Sequence, residues 1–144
     1  MLKLLVPVGR SKRSLQAVRH AAFLYHERCV SEVVLLNVQP PLESTRLEAF
    51  YPLEELRAME AAAANEALER AARILDDAHV RYSLAVQVGP LAPTIAHCAD
   101  EQRCDEILVS APPRSVLHAL RHIARQSVLD RLVRIARVPV TAVR

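Results

Sequence analysis

The sequence contains very little glycine and few aromatic residues. Of its 144 residues only Gly9 and Gly89 are glycine, and the aromatic residues are three tyrosines and two phenylalanines. Two isolated glycines cannot form a glycine-rich phosphate loop, whose backbone amides approach the ligand because no Cβ stands in the way. Few aromatic rings and no helix-turn-helix motif also argue against nucleic-acid binding. We therefore expect no nucleic-acid partner.

Long apolar runs and cysteine pairs with short spacing are also missing. The apolar run at residues 4–8 is followed directly by Gly9 and basic residues. It is too short for the core of a signal peptide or for a membrane helix of about 20 residues. The cysteines are odd in number and without Cys-x-x-Cys spacing, which fits reduced thiols in a cytosolic protein. They are Cys29, Cys98 and Cys104. We expect a cytoplasmic protein with no membrane partner.

The composition favours one folded domain with an uneven charge distribution. Hydrophobic residues make up 51% of the chain and charged residues 24%, which is enough apolar surface for a single core over residues 1–144. The net charge of +3 divides into +5 for residues 1–31, −7 for residues 32–105 and +5 for residues 106–144. Two basic ends therefore flank an acidic middle.

Two periodicities alternate along the chain, and this alternation is typical of stacked βαβ units. Short apolar runs without strict alternation predict strands buried on both faces of a parallel sheet. These runs are residues 2–8, 33–38, 82–88, 106–110 and 139–143. Segments with apolar residues three or four apart predict helices between them. These are residues 14–29, 53–78 and 91–102 and a basic segment within residues 115–136.

Several short sequences, taken in order, resemble the universal stress protein family. Residues 4–11 read LLVPVGRS, where the family usually has Val-Pro-Val-Asp-Gly-Ser after its first strand. Further matches are VGP at residues 88–90, DEILV at 105–109, SVLDRL at 127–132 and VPVTAV at 138–143. The resemblance covers nearly the whole chain. It implies an α/β, single three-layer, Rossmann-like or flavodoxin-like domain, with a five-stranded parallel sheet of order 3-2-1-4-5 and helices on both faces. An unrelated flavodoxin-like or receiver domain is the alternative, although a receiver would need acidic residues after the first strand.

The resemblance also places a ligand crevice between the first and fourth strands, and this sequence departs from the family there. Nucleotide-binding members follow the fourth strand with glycine, two residues, glycine, nine residues, glycine and Ser or Thr. The matching positions here are Ser110, Pro113, Gln126 and Ser127, with a spacing three residues too long before Gln126. Gly9 stands where the family has aspartate. The resemblance therefore implies the non-nucleotide-binding branch, with no cofactor and no ATP, acting as a non-catalytic stress-response protein through protein contacts.

A basic crevice is the competing interpretation. Arg10 and Arg13 follow the first strand and Arg114 follows the fourth, and helix N-termini at the same edge add positive potential. An anionic or phosphate-bearing small molecule could bind there without glycines, although these side chains could equally be solvated surface charge. The candidate ligand-binding residues are Gly9, Arg10, Arg13, Ser110, Arg114 and Ser127.

No catalytic constellation or metal site emerges from the remaining candidates. His118 and His122 share the spacing of a helix face, but no third ligand accompanies them. Cys98 follows His97, and sequence neighbours on a helix do not face each other. Ser11 and Ser14 occupy positions where a helix N-cap belongs. We expect the protein not to be an enzyme.

The last predicted strand suggests a homodimer. Val138, Val140 and Ala142 alternate with Pro139 and Thr141 on an edge strand in the family's order. An unprotected apolar edge is normally paired or covered, so we expect a homodimer formed at least partly through this strand.

Overall fold

Strands and helices alternate along the part of the chain that the computed structural model describes, which is residues 1–41, 51–111 and 127–144. The elements are β1 (Leu2–Pro7), α1 (Ser14–His26), β2 (Val30–Gln39), α2 (Leu53–Asp77), β3 (Tyr82–Val88), α3 (Leu91–Glu101), β4 (Glu106–Ser110), α4 (Val128–Ile135) and β5 (Val140–Val143). The predicted bounds of the third and fourth strands are confirmed. The second strand is four residues longer than predicted, extending from Val30 to Gln39.

The strands form one parallel sheet in the order β3-β2-β1-β4-β5, which confirms the predicted order and fold class. β1 lies at the centre and pairs with β2 on one side and with β4 on the other. The chain therefore leaves β1 first toward one edge of the sheet, through β2 and β3, and then returns to build the other edge. This reversal places the switch point of the sheet beside β1.

Helices cover both faces of the sheet, as predicted. On one face α1 and α2 pack over the alternate residues of β1 and β2 that include Leu4, Val6 and Leu35. On the other face α3 and α4 pack over Leu5 and Ile107. Because neighbouring strand residues point to opposite faces, each strand of this central region contributes to both clusters.

Helix α1 is shorter than its apolar periodicity predicts. It ends at His26, because Arg28 adopts a left-handed backbone conformation with φ of 59°. The amide of Cys29 then donates to the carbonyl of Leu24 over 3.0 Å, which satisfies one of the carbonyls left open at the helix end. Within the three described ranges, no helix is both long and apolar enough to cross a membrane.

Candidate functional site

Successive backbone groups of β1 face different neighbours. The amide of Val8 donates to the carbonyl of Leu36 in β2 over 2.8 Å, so the even-numbered residues of β1 face β2. The amide of Asp105 donates to the carbonyl of Lys3 over 2.8 Å, so the odd-numbered residues face β4. Pro7 is therefore the residue whose amide would face β4, and proline has no N–H to donate.

The ladder between β1 and β4 is correspondingly short. It ends at Leu5 and Ile107, whereas the pairing of β1 with β2 continues to Pro7 and Leu36. Beyond this pair, β1 and β4 are no longer paired with each other toward their carboxyl ends. Open parallel sheets bind ligands at such a switch point, so the turns after β1 and β4 frame the candidate functional site.

The opposite side of β1 is closed by a continuous series of hydrogen bonds. The Asn37 side-chain amide donates to the carbonyl of Val8 over 2.9 Å, and the Gln39 side-chain amide donates to Asn37 Oδ1 over 2.6 Å. The amide of Gly89 in turn donates to the carbonyl of Gln39 over 3.0 Å. Asn37 is only 4% exposed. Sequence analysis missed this residue, although a single polar side chain within the apolar run VVLLNV was a usable signal.

Several polar groups of the turn between β1 and α1 form hydrogen bonds with one another. Ser14 Oγ accepts from the amide of Gly9 over 3.3 Å and donates to the carbonyl of Ser11 over 2.7 Å. Ser11 Oγ accepts from the amide of Arg13 over 3.3 Å. Arg13 is the N-cap residue of α1 and makes no side-chain cap bond. The hypothesis that Ser11 or Ser14 is the N-cap is therefore wrong in position, since both hydroxyls instead close the turn.

Gly9 and the basic residues lie on the outer side of this turn. A Cβ built on Gly9 would have no heavy atom within 4 Å apart from its chain neighbours, so packing does not require glycine there. Arg10 and Arg13 are exposed. Arg70 of α2 donates through Nη2 to the carbonyl of Arg10 over 3.4 Å and lies 3.7 Å from Glu66. Arg114, the third predicted basic residue, lies outside the described residues.

Ser110 connects the end of β4 to helix α1. Its Oγ accepts from the amide of Ala17 over 3.2 Å, so the hydroxyl points under the first turns of the helix. The next residue, Ala111, donates its amide to the carbonyl of Val143 over 2.6 Å. The described end of β4 is therefore held by contacts within the chain. Pro113 and Gln126, which were matched to the family's glycines, lie outside the described residues.

Ser127 is the N-cap residue of α4. Its Oγ accepts from the amide of Asp130 over 3.1 Å and donates to Asp130 Oδ2 over 2.7 Å. The amide of Ser127 donates to the same carboxylate oxygen over 3.3 Å, which completes a capping box. The Ser-x-x-Asp spacing that produces this motif was readable in the sequence, and sequence analysis considered only Ser127.

The two buried cysteines are poor nucleophiles. Burial raises the pKa of the Cys98 thiol, and the charge of Glu101 raises it further. Burial likewise raises the pKa of Cys104 to about 11. His97 Nε2 lies 3.2 Å from Glu101 Oε1, so its imidazole is engaged away from the thiol. Because the thiolate is the reactive form, the structure supports a packing role for Cys98 and Cys104, while Cys29 is exposed.

The described residues contain no group of three or more His, Cys, Asp or Glu side chains that could hold a metal ion. His118 and His122 lie outside the described residues. At the β5 edge, Val138 and Val140 are partly buried against the core cluster beneath α3 and α4, whereas Ala142 is exposed. The predicted dimer contact through these three residues stays a prediction.

The model of the universal stress protein family matches residues 1–144, and a search of curated protein sequences finds no matching relative. The chain is similar to the solved universal stress protein UspA from Lactobacillus plantarum, with 22% identity, a TM-score of 0.77 and coverage of 99% of this chain and 97% of that chain.

Two further similar structures were solved with nucleotides. One is the universal stress protein from Archaeoglobus fulgidus in complex with dAMP, with 21% identity, a TM-score of 0.69 and coverage of 100% of this chain and 98% of that chain. The other is a universal stress protein family protein from Arabidopsis thaliana with AMP bound, with 18% identity, a TM-score of 0.65 and coverage of 99% and 91%. At these identities the structural matches support the shared fold.

Proposed function

Because this chain belongs to the universal stress protein family, we propose that it is a non-catalytic stress-response protein that acts as a homodimer through protein contacts. Its nucleotide site is degenerate, and ATP is not its cofactor. This function combines the family fold with a crevice in which many of the polar groups that the structure describes, at residues 9–15, 110 and 127, hydrogen-bond within the chain itself.

The observation that carries this proposal is the capping box at Ser127. In the family's nucleotide-binding motif this position supplies a Ser or Thr beside the phosphates. Here both the hydroxyl and the amide of Ser127 are bonded to the Asp130 carboxylate. That carboxylate places a negative charge at the N-terminus of α4, where the helix dipole would otherwise favour an anion. A nucleotide phosphate would have to displace it and would be repelled by it.

The turn after β1 supports the same conclusion. A phosphate cradle needs free backbone amides that point at the ligand. The amides of Gly9 and Arg13 instead donate to Ser14 and Ser11, and the amides of Ser14 and Leu15 donate to carbonyls of the same turn. Gly9 also brings no side chain to the crevice. This turn therefore offers few of the contacts that would hold a nucleotide.

Thermal melting with ATP and magnesium tests the proposal. Ligand at 100 times its dissociation constant adds about 2.7 kcal/mol to stability, which corresponds to roughly 5–10 °C in Tm for a domain of this size. We expect 1 mM magnesium ATP to raise Tm no more than magnesium sulfate at matched ionic strength. A rise of several degrees specific to ATP, AMP or dAMP would overturn the degenerate site.

An anion-binding module is the second candidate function, and the position of Arg70 favours it. Arg70 reaches the carbonyl of Arg10, which adds a cation from α2 to the exposed Arg10, Lys12 and Arg13 of the β1–α1 turn. Similar structures bind AMP and dAMP, so a phosphate-bearing small molecule is the ligand class to test. Charge attracts such a ligand without a glycine-rich loop, but the attraction is screened by salt.

The effect of different anions on Tm distinguishes the anion-binding module from the protein that acts only through protein contacts. If the basic turn binds a phosphate-bearing ligand, phosphate should raise Tm more than chloride at matched ionic strength. The surplus should disappear in an Arg10→Ala/Arg13→Ala double variant and persist in an Arg73→Ala variant, whose side chain pairs with Glu69 elsewhere on α2. Equal responses of all three proteins would exclude the anion-binding candidate.

A further inference from the structure

Strand β3 forms one edge of the sheet, and its backbone groups alternate in direction. The amide of Gly89 donates to the carbonyl of Gln39 over 3.0 Å, and the carbonyl of Arg81 accepts from the amide of Val33 over 3.0 Å. Odd-numbered residues of this strand therefore bond to β2. In the part of the chain that the structure describes, no strand lies on the other side of β3, so its even-numbered residues direct their amide and carbonyl groups away from the sheet.

The side chains of these even-numbered residues form an exposed apolar stripe. Leu84 is 53% exposed, Val86 52% and Val88 64%. Alternate residues of a strand share a face, so the three side chains lie side by side. Tyr82 begins the same row, but it is partly buried, and its hydroxyl donates to Asp76 Oδ1 at the end of α2 over 2.9 Å. Apolar side chains and outward backbone groups are thus exposed together over residues 84–88.

Acidic side chains lie on both faces of this edge. On the α2 face, Asp76 contacts Tyr82, and the neighbouring Asp77 is exposed. On the opposite face, Gln87 Nε2 donates to Glu101 Oε2 of α3 over 3.2 Å, and the Glu101 side chain is 49% exposed. Helix α2 contains seven acidic and three basic residues, and α3 contains two acidic residues and no lysine or arginine. The edge is therefore apolar along its length and bordered by negative charge on both faces.

We propose that β3 docks an extended segment of a partner protein in which apolar and basic residues alternate. The main chain of this segment adds a sixth strand to the sheet and bonds to the outward groups of residues 84–88. Successive side chains of a strand point to opposite faces, so the apolar side chains of the segment cover the stripe on the α2 face. Its basic side chains then reach Glu101 on the α3 face. The inference rests on the proposed action through protein contacts, and it assigns a surface and a partner chemistry to that action.

Charge favours a basic partner segment over a second copy of this chain. Residues 82–88 contain no charged side chain, so β3 of a second copy brings no cation to Glu101 and places its own acidic helices nearby. Opposite charges across neighbouring strands are stabilising and like charges are destabilising. The exposed Arg81 lies before the first residue of the strand, so we expect the basic residues of the partner near the other end, beside Gln87.

Fluorescence anisotropy with labelled peptides tests the docking surface. The probe is an eight-residue peptide of alternating valine and lysine, and the controls are an alternating valine–glutamate peptide and a peptide of four valines followed by four lysines. We expect saturable binding of the probe, binding at least about tenfold weaker for both controls, and weaker binding of the probe at high salt. Equal binding of the two lysine peptides overturns the proposal, because charge alone then explains it.

Absence of binding by the probe also overturns the docking surface. That result leaves the proposed function standing, because light scattering and nucleotide titration test the homodimer and the degenerate site without the peptide.

Matched charge variants locate the surface on β3. We expect Val86→Lys to raise the dissociation constant of the probe at least about tenfold and Ala142→Lys on β5 to leave it unchanged. Both substituted side chains are exposed, and circular dichroism melts establish that each variant folds. Glu101→Gln should also weaken binding, whereas Glu27→Gln on α1 should not. Unchanged binding by Val86→Lys overturns the proposal. A wild-type dimer that Val86→Lys converts to a monomer shows that a second copy occupies the edge, which overturns the partner segment but keeps the homodimer.

Amide hydrogen exchange distinguishes strand addition from contact through side chains alone. Bound probe should slow the exchange of the amides of Leu84, Val86 and Val88, which point outward, because each gains an acceptor from the added strand. The amides of Ser83 and Ala85 face β2 and should exchange as in the free protein. Unaltered exchange at the three outward amides in the presence of saturating probe contradicts the added strand.

Discussion

The two sides of β1 differ at their carboxyl ends although both neighbours are parallel strands. On the β2 side, hydrogen bonds run from Val8 through Asn37 and Gln39 to Gly89. On the β4 side, the ladder stops at Leu5 and Ile107, because Pro7 presents no amide. The closed side is maintained by buried polar contacts, and the open side is where the family places its ligand.

The difference shows which of the two glycines the fold requires. Gly89 has a φ of 157°, and a Cβ there would collide with Thr94 Oγ1. Gly9 has open space around it. Glycine is thus required on the side that is closed, and on the open side neither packing nor a positive φ demands it. A protein that retained a nucleotide cradle would need its glycines on the open side.

Gly89→Ala should have the largest effect. The added methyl group meets Thr94 Oγ1 and the backbone is strained at positive φ, so we expect a loss of roughly 2–3 kcal/mol in the free energy of unfolding. Urea denaturation measures it. Thr94→Ala added to Gly89→Ala should recover part of the loss, since it removes the collision and leaves the strain. If Gly89→Ala caused no loss of stability, the close contact between residue 89 and Thr94 would be contradicted.

Asn37→Ala should have the next largest effect. It leaves the carbonyl of Val8 without its side-chain donor and removes the acceptor of the Gln39 amide, so we expect a loss of about 1–3 kcal/mol in the free energy of unfolding. Asn37→Asp should be no better, because a carboxylate cannot donate to Val8. If Asn37→Asp were as stable as the wild type, the series of hydrogen bonds would be incorrect.

Ser110→Ala should cost less, because it removes one hydrogen bond to the amide of Ala17. We expect about 0.5–1.5 kcal/mol in the free energy of unfolding, measured by the same denaturation. Ser83→Ala, on the edge strand β3, provides the matched control and should change stability by less than about 0.5 kcal/mol. Equal losses in the two variants would show that Ser110 does not connect β4 to α1.

Gly9→Ala should have the smallest effect. Its side chain enters open space, so we expect a change within about 0.5 kcal/mol in the free energy of unfolding. Gly9→Asp should be tolerated equally well, since the carboxylate can remain in solvent. A loss comparable to that of Gly89→Ala would mean that the turn after β1 depends on glycine, and the comparison between the two sides would fail.

The sequence predicted the fold more completely than the site. The strand order followed from the resemblance of short sequences to the family, and β3 and β4 were located from their apolar runs, although Leu84, Val86 and Val88 leave one face of β3 exposed. The Asn37 contacts could not be predicted, since they depend on the register between three strands that are distant in sequence. The role of Ser110 depends on where α1 packs. The capping box of Ser127 and Asp130 could have been predicted, because its partners are close in sequence, but only Ser127 was considered.

Isothermal titration with ATP and magnesium at physiological salt tests the central claim most directly. Each charge-assisted hydrogen bond that the crevice lacks is worth roughly 1.5–3 kcal/mol, and losing two or three of them moves a micromolar site into the millimolar range. We therefore expect no saturable heat below millimolar nucleotide. A saturable dissociation constant in the low micromolar range, with one nucleotide bound per chain, would contradict the account and place this chain among the nucleotide-binding members of its family.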